Sequence, residues 1–291
     1  MKKVVILGCE NSHANTFLGY VRDLEKYSDV EVVGVYSHER EASEKLNAEF
    51  GVKIMDSYDE MVGKVDGVII TARHGDNHFK YAKPYISAGV PMFIDKPVTI
   101  SEEEAVEFMR LCRDNGVRVT GGSCLKYVDV IQQLKSEVIA NKGGATLGGF
   151  LRAPISMINP HGGFFFYSQH LAEMVMEAFG TYPKFVQAIP CGENINVIFG
   201  YEKYNIDTLF VESNYNYYAS RHSEEGFSGD AFPIDGNSPC FNVEFDEFYK
   251  LLHGGNQHVS YKDFIAPVFV LNAINRSILS GNKEEIKDYE V

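Results

Sequence analysis

Three short stretches carry side chains able to do chemistry on a small molecule. The first is Val90-Pro91-Met92-Phe93-Ile94-Asp95-Lys96-Pro97. Its apolar run, Met92 to Ile94, reads as a short buried strand. Pro97 lacks an N–H and biases the residue before it toward an extended backbone, so the chain leaves the sheet there. Lys96 is thereby placed at the carboxyl end of a central strand, the edge of an open α/β sheet where ligands bind. An ammonium at that edge offers positive charge and a proton donor to a hydroxyl or carbonyl oxygen. A solvated lysine in the loop after a strand accounts for the same residues. The second stretch runs from His161-Gly162-Gly163 to Tyr167, His170 and Glu173. His170 and Glu173 share a helix face, and an imidazole beside a carboxylate is a usable general base near neutral pH. The alternative is a hydrogen-bonded core histidine beneath packed aromatics. The third stretch is Gly8-Cys9-Glu10-Asn11-Ser12-His13. A strand, a tight turn and a helix N-terminus form the layout of a dinucleotide diphosphate site. Of the Gly-x-Gly-x-x-Gly fingerprint only Gly8 is present; Glu10 and His13 stand at the other glycine positions. Asn11 and Ser12 are able to turn the chain and cap the helix, and an ordinary strand–helix turn is the competing reading.

Two further strand ends join these. Val35-Tyr36-Ser37-His38-Glu39-Arg40 ends the second strand. An acid at that place favours NAD, whereas small polar and basic residues favour NADP, so Ser37 with Arg40 leans toward NADP despite Glu39 nearby. Ser37 as a helix cap and Arg40 as a solvated residue is the alternative. Thr71-Ala72-Arg73-His74-Gly75-Asp76-Asn77-His78 is a loop dense in polar groups on the same sheet edge as Glu10, His13 and Lys96. A metal-assisted site built from Glu10, His13, His74, Asp76, His78, His161, His170 and Glu173, suited to zinc or manganese, is a third reading; the leading one uses no metal.

The elements that must position these groups follow from periodicity. Val4–Leu7, Val30–Tyr36, Gly67–Ala72, Met92–Ile94 and Val117–Thr120, rich in apolar and β-branched residues, read as strands, with a minor strand at Ile54-Met55. Helical patterns lie between them: Phe17 to Leu24, a Ser37-capped segment stopped by Gly51, a short one opened by Ser57 to Glu60, Asn77 to Ala88, and Ser101 to Asn115 with a hydroxyl cap and Glu104 three residues on. This alternation predicts a doubly wound parallel sheet over residues 1–121, a dinucleotide-binding domain. Gly121-Gly122 reads as a hinge into an α+β domain, residues 122–291. Its strands, Leu147–Leu151, Phe185–Ile189, Ile195–Tyr201, Thr208–Glu212 and Asn214–Ala219, are expected to form an antiparallel meander. Helices are expected at Tyr127–Ala140, Phe166–Phe179, Phe241–Leu252 and Tyr261–Leu279, the last able to pack back on the first domain.

Bulk properties narrow the partners. A net charge of −13 with no basic run argues against nucleic acid and anionic membrane. No apolar run is long enough to span a bilayer or act as a signal peptide. Five dispersed cysteines without metal-ligand spacing point to reduced thiols and a cytoplasmic protein. An open aromatic sheet needs covering, so a homodimer or homotetramer through the second domain is expected.

Taken together and in order, these motifs resemble the glucose–fructose oxidoreductase / inositol dehydrogenase (Gfo/Idh/MocA) family along essentially the whole chain. Asp95-Lys96-Pro97 is similar to that family's Glu-Lys-Pro. Asn77-His78 resembles its strand–Pro–Asn–x–x–His segment, with Arg73 and His74 replacing the usual residues. Lys126 resembles the basic residue after the domain crossover, and Gly162-Gly163 with His170 resembles the Gly-Gly…Asp-x-x-x-His-x-x-Asp helix. Tyr261-Lys262-Asp263 and Ala273 to Ser277 resemble the tail. The resemblance implies a Rossmann domain, then a domain with a mostly antiparallel open sheet. It implies an NAD(P)-dependent oxidoreductase of sugars, polyols or their ketones. In that reading Lys96 meets the substrate hydroxyl and nicotinamide ribose, and His170, with Glu173, exchanges the hydroxyl proton. The cofactor would lie against Gly8, Glu10, Asn11, Ser12, His13, Ser37, Arg40, Thr71, Ala72, Arg73, His74, His78, Asp95 and Lys96. Substrate would meet Lys126, His161 and Tyr167. Phe166 stands where the family has aspartate, and the glycine turn is altered, so a non-catalytic member that binds a sugar or nucleotide is the rival expectation.

Overall fold

A computed structural model describes residues 1–291. The chain forms two compact units: Met1–Gly122 with Phe241–Phe264 and Val291, and Ser123–Cys240 with Ile265–Glu290.

In the first unit, β1 (Lys2–Leu7), β2 (Val30–Tyr36), β3 (Gly67–Ile70), β4 (Met92–Asp95) and β5 (Val119–Gly122) form a parallel sheet in the order β2-β1-β3-β4-β5. Val4 to Leu7, Val68 to Ile70 and Met92 to Ile94 have no exposed surface, which is why their sequences are unbroken apolar runs. The crossovers are α1 (Ser12–Asp23), α2 (Arg40–Phe50), α3 (Asp76–Ile86) and α4 (Glu102–Asp114). α4 starts as its sequence dictates: Ser101 Oγ accepts the Glu104 N–H at 3.2 Å, with Glu102 to Glu104 in the first turn. α2 stops at Gly51 with φ 69°, a left-handed conformation that glycine adopts without strain. Its start differs from expectation. Glu39, not Ser37, is the N-cap; Ser37 Oγ accepts the Glu39 N–H at 3.0 Å just ahead of the helix while donating to the Glu10 carboxylate. Ser57 to Glu60 forms turns rather than a helix, and Ile54 makes only a single bridge to Val35. Strand order reverses between β1 and its neighbours β2 and β3, so the β1 and β3 carboxyl ends flank the switch point where ligands of open α/β sheets lie.

The tail returns to this unit through α7 (Pro239–Leu252). Phe245, Phe248 and Leu252 fall on one helix face and are at most 4% exposed. The Phe245 ring lies 4.9 Å from Phe17 and 4.8 Å, edge-on, from Tyr27. This aromatic cluster draws Phe241–Phe264 into the first unit, so residues 122–291 do not stay together.

The second unit contains α5 (Asp129–Ile139), β6 (Thr146–Ile155), α6 (Phe165–Phe179), β7 (Phe185–Cys191), β8 (Asn194–Gly200), β9 (Asn205–Glu212), β10 (Tyr217–Ser223) and β11 (Gly226–Phe232). It also holds α8 (Tyr261–Ser280) from Ile265 onward and the short β12 (Glu284–Glu285). Its seven strands are ordered β11-β10-β6-β9-β8-β7-β12. Alternate residues of β8 and β9, Ile195, Val197, Phe199 and Ile206, Thr208, Phe210, are buried, the period of two that a one-sided sheet requires. The sheet is mostly antiparallel but not a simple meander. β6 pairs with β9 in parallel register, Gly148 against Asn205, because α6 carries the chain across before β7, β8 and β9 turn back by hairpins. α6 packs on β6 and α5. No helix is long and apolar enough to cross a membrane.

Candidate functional site

The β1–α1 turn keeps the part of the fingerprint that depends on close approach. Gly8 has φ +79°, and a Cβ there would sit 2.4 Å from the Ala72 backbone. Thr71 Oγ1 donates to the Gly8 carbonyl at 3.0 Å, fastening the β3 end to the turn. Glu10 is buried, and its carboxylate is folded back onto the sheet edge: Ser37 Oγ donates to Oε2 at 2.6 Å and the Arg73 N–H donates to Oε1 at 3.1 Å. The acid therefore spans the ends of β2 and β3. Arg40 is exposed and lies 3.6 Å from Glu44 and 3.9 Å from Asp56, so the two residues that lean toward NADP are both engaged with carboxylates. His38 approaches Glu10 only to 4.0 Å.

Asn11 precedes α1, yet its amide does not cap the helix. Nδ2 donates instead to Asp95 Oδ2 at 2.7 Å, which leaves the first N–H groups of α1 without a side-chain cap. Ser12 is exposed at the helix start. Asp95 is a hub. It also takes His13 Nδ1 at 2.7 Å and, through Oδ1, the Lys96 N–H at 2.7 Å. Glu244, delivered by α7, lies 3.3 Å from His13 Nε2. Burial alone would depress the His13 pKa, but the Asp95 and Glu244 carboxylates outweigh it and raise it. Burial likewise opposes ionisation of Asp95, and His13 overcomes it, holding the carboxyl at about 2. The β1–α1 turn and the Lys96 loop are thus tied to one buried carboxylate. Lys96 is itself 4% exposed.

The loop after β3 is organised by a buried histidine. His78 has no exposed surface, and its Nε2 donates to the Ala72 carbonyl at 2.8 Å; burial pushes its pKa down, so the ring is neutral. It shapes the Thr71–His74 backbone from below. His74 sits beside Asp76, its Nδ1 accepting the Asp76 N–H at 3.4 Å. Glu10, His74 and His78 each bond to a different partner and do not converge as metal ligands.

In the second unit, Ser123 Oγ and His170 Nδ1 are 2.6 Å apart, both residues buried. Glu173 does not pair with His170. Its Oε1 accepts the Ser123 N–H at 3.0 Å and a bond from Gln169 Nε2, and its Oε2 takes the Lys126 ammonium at 3.0 Å. Burial opposes the Lys126 charge, but Glu173 overcomes it and raises the lysine pKa. The Tyr167 ring lies 4.8 Å from His170 and, edge-on, 5.7 Å from Tyr215; burial raises its hydroxyl pKa. His161 lies 5.0 Å from Phe166, ring to ring. Lys126, Tyr167, His170 and Glu173 therefore fall in one neighbourhood.

Three contributors carry little sequence signal. Ser123 follows the Gly121-Gly122 pair and is recognisable only as a possible cap of the next turn, where its Oγ accepts the Leu125 N–H at 3.2 Å. Gln169 and Glu244 are polar residues on helices, indistinguishable from solvated positions until tertiary packing buries them.

Residues 2–123 match the family described as "Oxidoreductase family, NAD-binding Rossmann fold". Among curated proteins, the chain is 28% identical over 150 residues to glucose-6-phosphate 3-dehydrogenase of Bacillus subtilis strain 168, a match covering 50% of this chain and 41% of that protein. It is 27% identical over 112 residues to UDP-N-acetylglucosamine 3-dehydrogenase of Acidithiobacillus ferrooxidans, covering 38% of this chain and 36% of that one. The chain thus matches less than half the length of either relative. Among solved structures, it is similar to a myo-inositol dehydrogenase from Corynebacterium glutamicum, with a TM-score of 0.82, 15% identity, and 99% and 100% of the two chains covered. Scyllo-inositol dehydrogenase from Lactobacillus casei, with bound NAD(H) and scyllo-inositol, gives a TM-score of 0.83 at 14% identity, covering 98% and 99%. Both structural likenesses establish the two-sheet fold.

Proposed function

We propose, for a chain whose residues 2–123 match the NAD-binding Rossmann oxidoreductase family, that it transfers a hydride between a nicotinamide cofactor and a sugar-like or polyol secondary alcohol or its ketone. The observation that carries this reading is the Gly8 turn at the sheet's switch point. The close Gly8–Ala72 approach and the uncapped start of α1 suit a diphosphate, and Glu10 turns its charge aside to Ser37 and Arg73. When bound, the cofactor supplies the hydride acceptor or donor. Lys96 contributes a positive charge beside the reacting oxygen. His170 takes the hydroxyl proton in oxidation and returns it in reduction. Lys126, His161 and Tyr167 would contact substrate, with Glu173 fixing Lys126. The relatives named for sugar 3-dehydrogenation, and the neighbour holding scyllo-inositol, support a polyhydroxylated substrate.

We read the cofactor as NAD rather than NADP. Glu10 places an acid at the end of β2, where a ribose 2′-phosphate would meet like charge, and Arg40 is occupied by Glu44 and Asp56. The second unit's sheet strands expose Leu147, Ile189 and Phe227, and we read this sheet as covered by a second copy of the chain.

Calorimetric titration tests the reading. NADH is expected to bind more tightly than NADPH, and binding of neither at millimolar concentration overturns the proposal. Lys96→Ala is expected to abolish turnover with folding intact; normal turnover would reject its role. A second reading, ligand binding without redox turnover, is favoured by Phe166, whose ring lies tilted 5.0 Å from His161 where the family resemblance implies an acid. Sugar binding with no change in nicotinamide absorbance would select it.

A further inference from the structure

The unexplained polar group of the second unit is Ser123. Its side chain has no exposed surface, it stands 47 residues from His170 in sequence, and its Oγ lies 2.6 Å from His170 Nδ1. Nothing about that contact is accidental to the backbone. The Ser123 N–H is held by Glu173 Oε1, Glu173 is held by Lys126 and Gln169, and the hydroxyl itself accepts the Leu125 N–H. Four bonds thus fix the position of one oxygen. Meanwhile Glu173, the acid that sequence spacing offers to His170, is committed to Ser123 and Lys126, and Phe166 one turn earlier has no polar atom to give.

We infer that Ser123 is the positioning residue for His170, holding the imidazole through Nδ1 so that Nε2 is the atom that exchanges protons with substrate. This rests on the oxidoreductase reading for what His170 does, but not for how the ring is held. A hydroxyl suits the task in a way a carboxylate does not. It accepts from Nδ1–H, which puts the lone pair on Nε2, and it brings no charge of its own to the imidazole. In oxidation the alcohol proton moves to Nε2 while hydride leaves the carbon for the nicotinamide; Nδ1–H stays on Ser123 Oγ throughout, and the resulting imidazolium charge meets a neutral partner. Reduction runs the same transfers backward. Lys126, Glu173 and Gln169 then act one bond further out, by fixing the oxygen that fixes the ring.

The test uses the full-length chain, ¹⁵N-labelled at histidine, with His170→Gln assigning the resonance. In the resting protein His170 is expected to show one tautomer with a hydrogen-bonded Nδ1. In Ser123→Ala the His170 ring nitrogen signals should shift away from the wild-type values, while the other histidines and the far-ultraviolet circular dichroism stay unchanged. In turnover, Ser123→Ala should lower kcat by roughly 10²-fold, the scale for a catalytic group displaced by about an ångström. KM should change less than threefold. Ser123→Thr, which keeps the hydroxyl, should recover most of the loss. Identical His170 ring signals in wild type and Ser123→Ala overturn the inference, as does an equal loss in Ser123→Ala and a folded Ser123→Thr. Shifted ring signals in a protein that turns over no substrate would support the positioning role while rejecting the redox reading.

Discussion

Replacing Asp95 by asparagine removes one charge from a buried cluster and leaves the side chain's shape almost unchanged. In the wild-type protein the carboxylate takes Asn11 Nδ2, His13 Nδ1 and the Lys96 N–H, each at 2.7 Å, with no exposed surface. Burial opposes its charge, His13 overcomes that, and the folded pKa is about 2. An unfolded aspartate titrates near 3.9, so the depression of roughly two units corresponds to about 2–3 kcal/mol. Because the folded value is depressed, that stabilisation is complete above about pH 4 and is lost as pH falls toward about 2. His13 has the opposite sign. Its folded pKa is raised, so its contribution is complete below about pH 6.5 and is lost as pH rises through the folded value. Asparagine also leaves the imidazolium with Glu244 as its remaining carboxylate neighbour, and removing one partner of a buried ion pair costs about 3–5 kcal/mol. Asp95→Asn is therefore expected to lose about 2–5 kcal/mol at pH 7 and to lose the acid limb of the stability profile. The chain has no tryptophan, so urea unfolding is followed by tyrosine fluorescence and circular dichroism. A variant within about 0.5 kcal/mol of wild type at pH 7, the range of an ordinary surface substitution, refutes the hub, as does an unchanged acid limb.

Gly8→Ala places a Cβ 2.4 Å from the Ala72 backbone at a φ of +79°, and is expected to weaken NADH binding at least tenfold while costing about 1–3 kcal/mol in urea unfolding. Glu10→Gln removes the charge facing a 2′-phosphate and should raise affinity for NADPH relative to NADH severalfold in calorimetry; an unchanged ratio would take Glu10 out of cofactor selection. Phe248→Ala empties a fully buried position in the first unit and should cost about 3–5 kcal/mol, measured by urea unfolding.

The parallel sheet was legible because β1, β3 and β4 are built around apolar runs ended by a turn, and the two-faced burial of Val4–Leu7 and Met92–Ile94 leaves no polar residue to blur the pattern. β11 escaped notice because Gly226, Gly229 and Asp230 read as loop residues, although β10 pairs along its whole length. The parallel β6–β9 pairing is a long-range choice that no local period encodes. At the candidate sites, the strand end singled out Asp95 and Lys96, the helix pattern singled out His170, and the family resemblance singled out Lys126. Helical spacing misdirected the partner of His170, since Glu173 shares its face but is captured by Lys126 and the Ser123 N–H. Ser37 has the side chain of a cap and accepts the Glu39 N–H locally, but it also donates to the distant Glu10, which no local pattern encodes. In each case a partner distant in sequence decides what the side chain bonds.

Transfer of deuterium from NADH stereospecifically labelled at the nicotinamide C4 addresses the central claim most directly. With the protein, labelled cofactor and a panel of keto-sugars, inososes and keto nucleotide sugars, mass spectrometry is expected to find one carbon-bound deuterium at the reduced centre of at least one alcohol, absent when Lys96→Ala or His170→Gln replaces the wild type. Bound NADH with no deuterium on any carbon of any product, or label transfer that persists in both variants, would contradict hydride transfer by these residues.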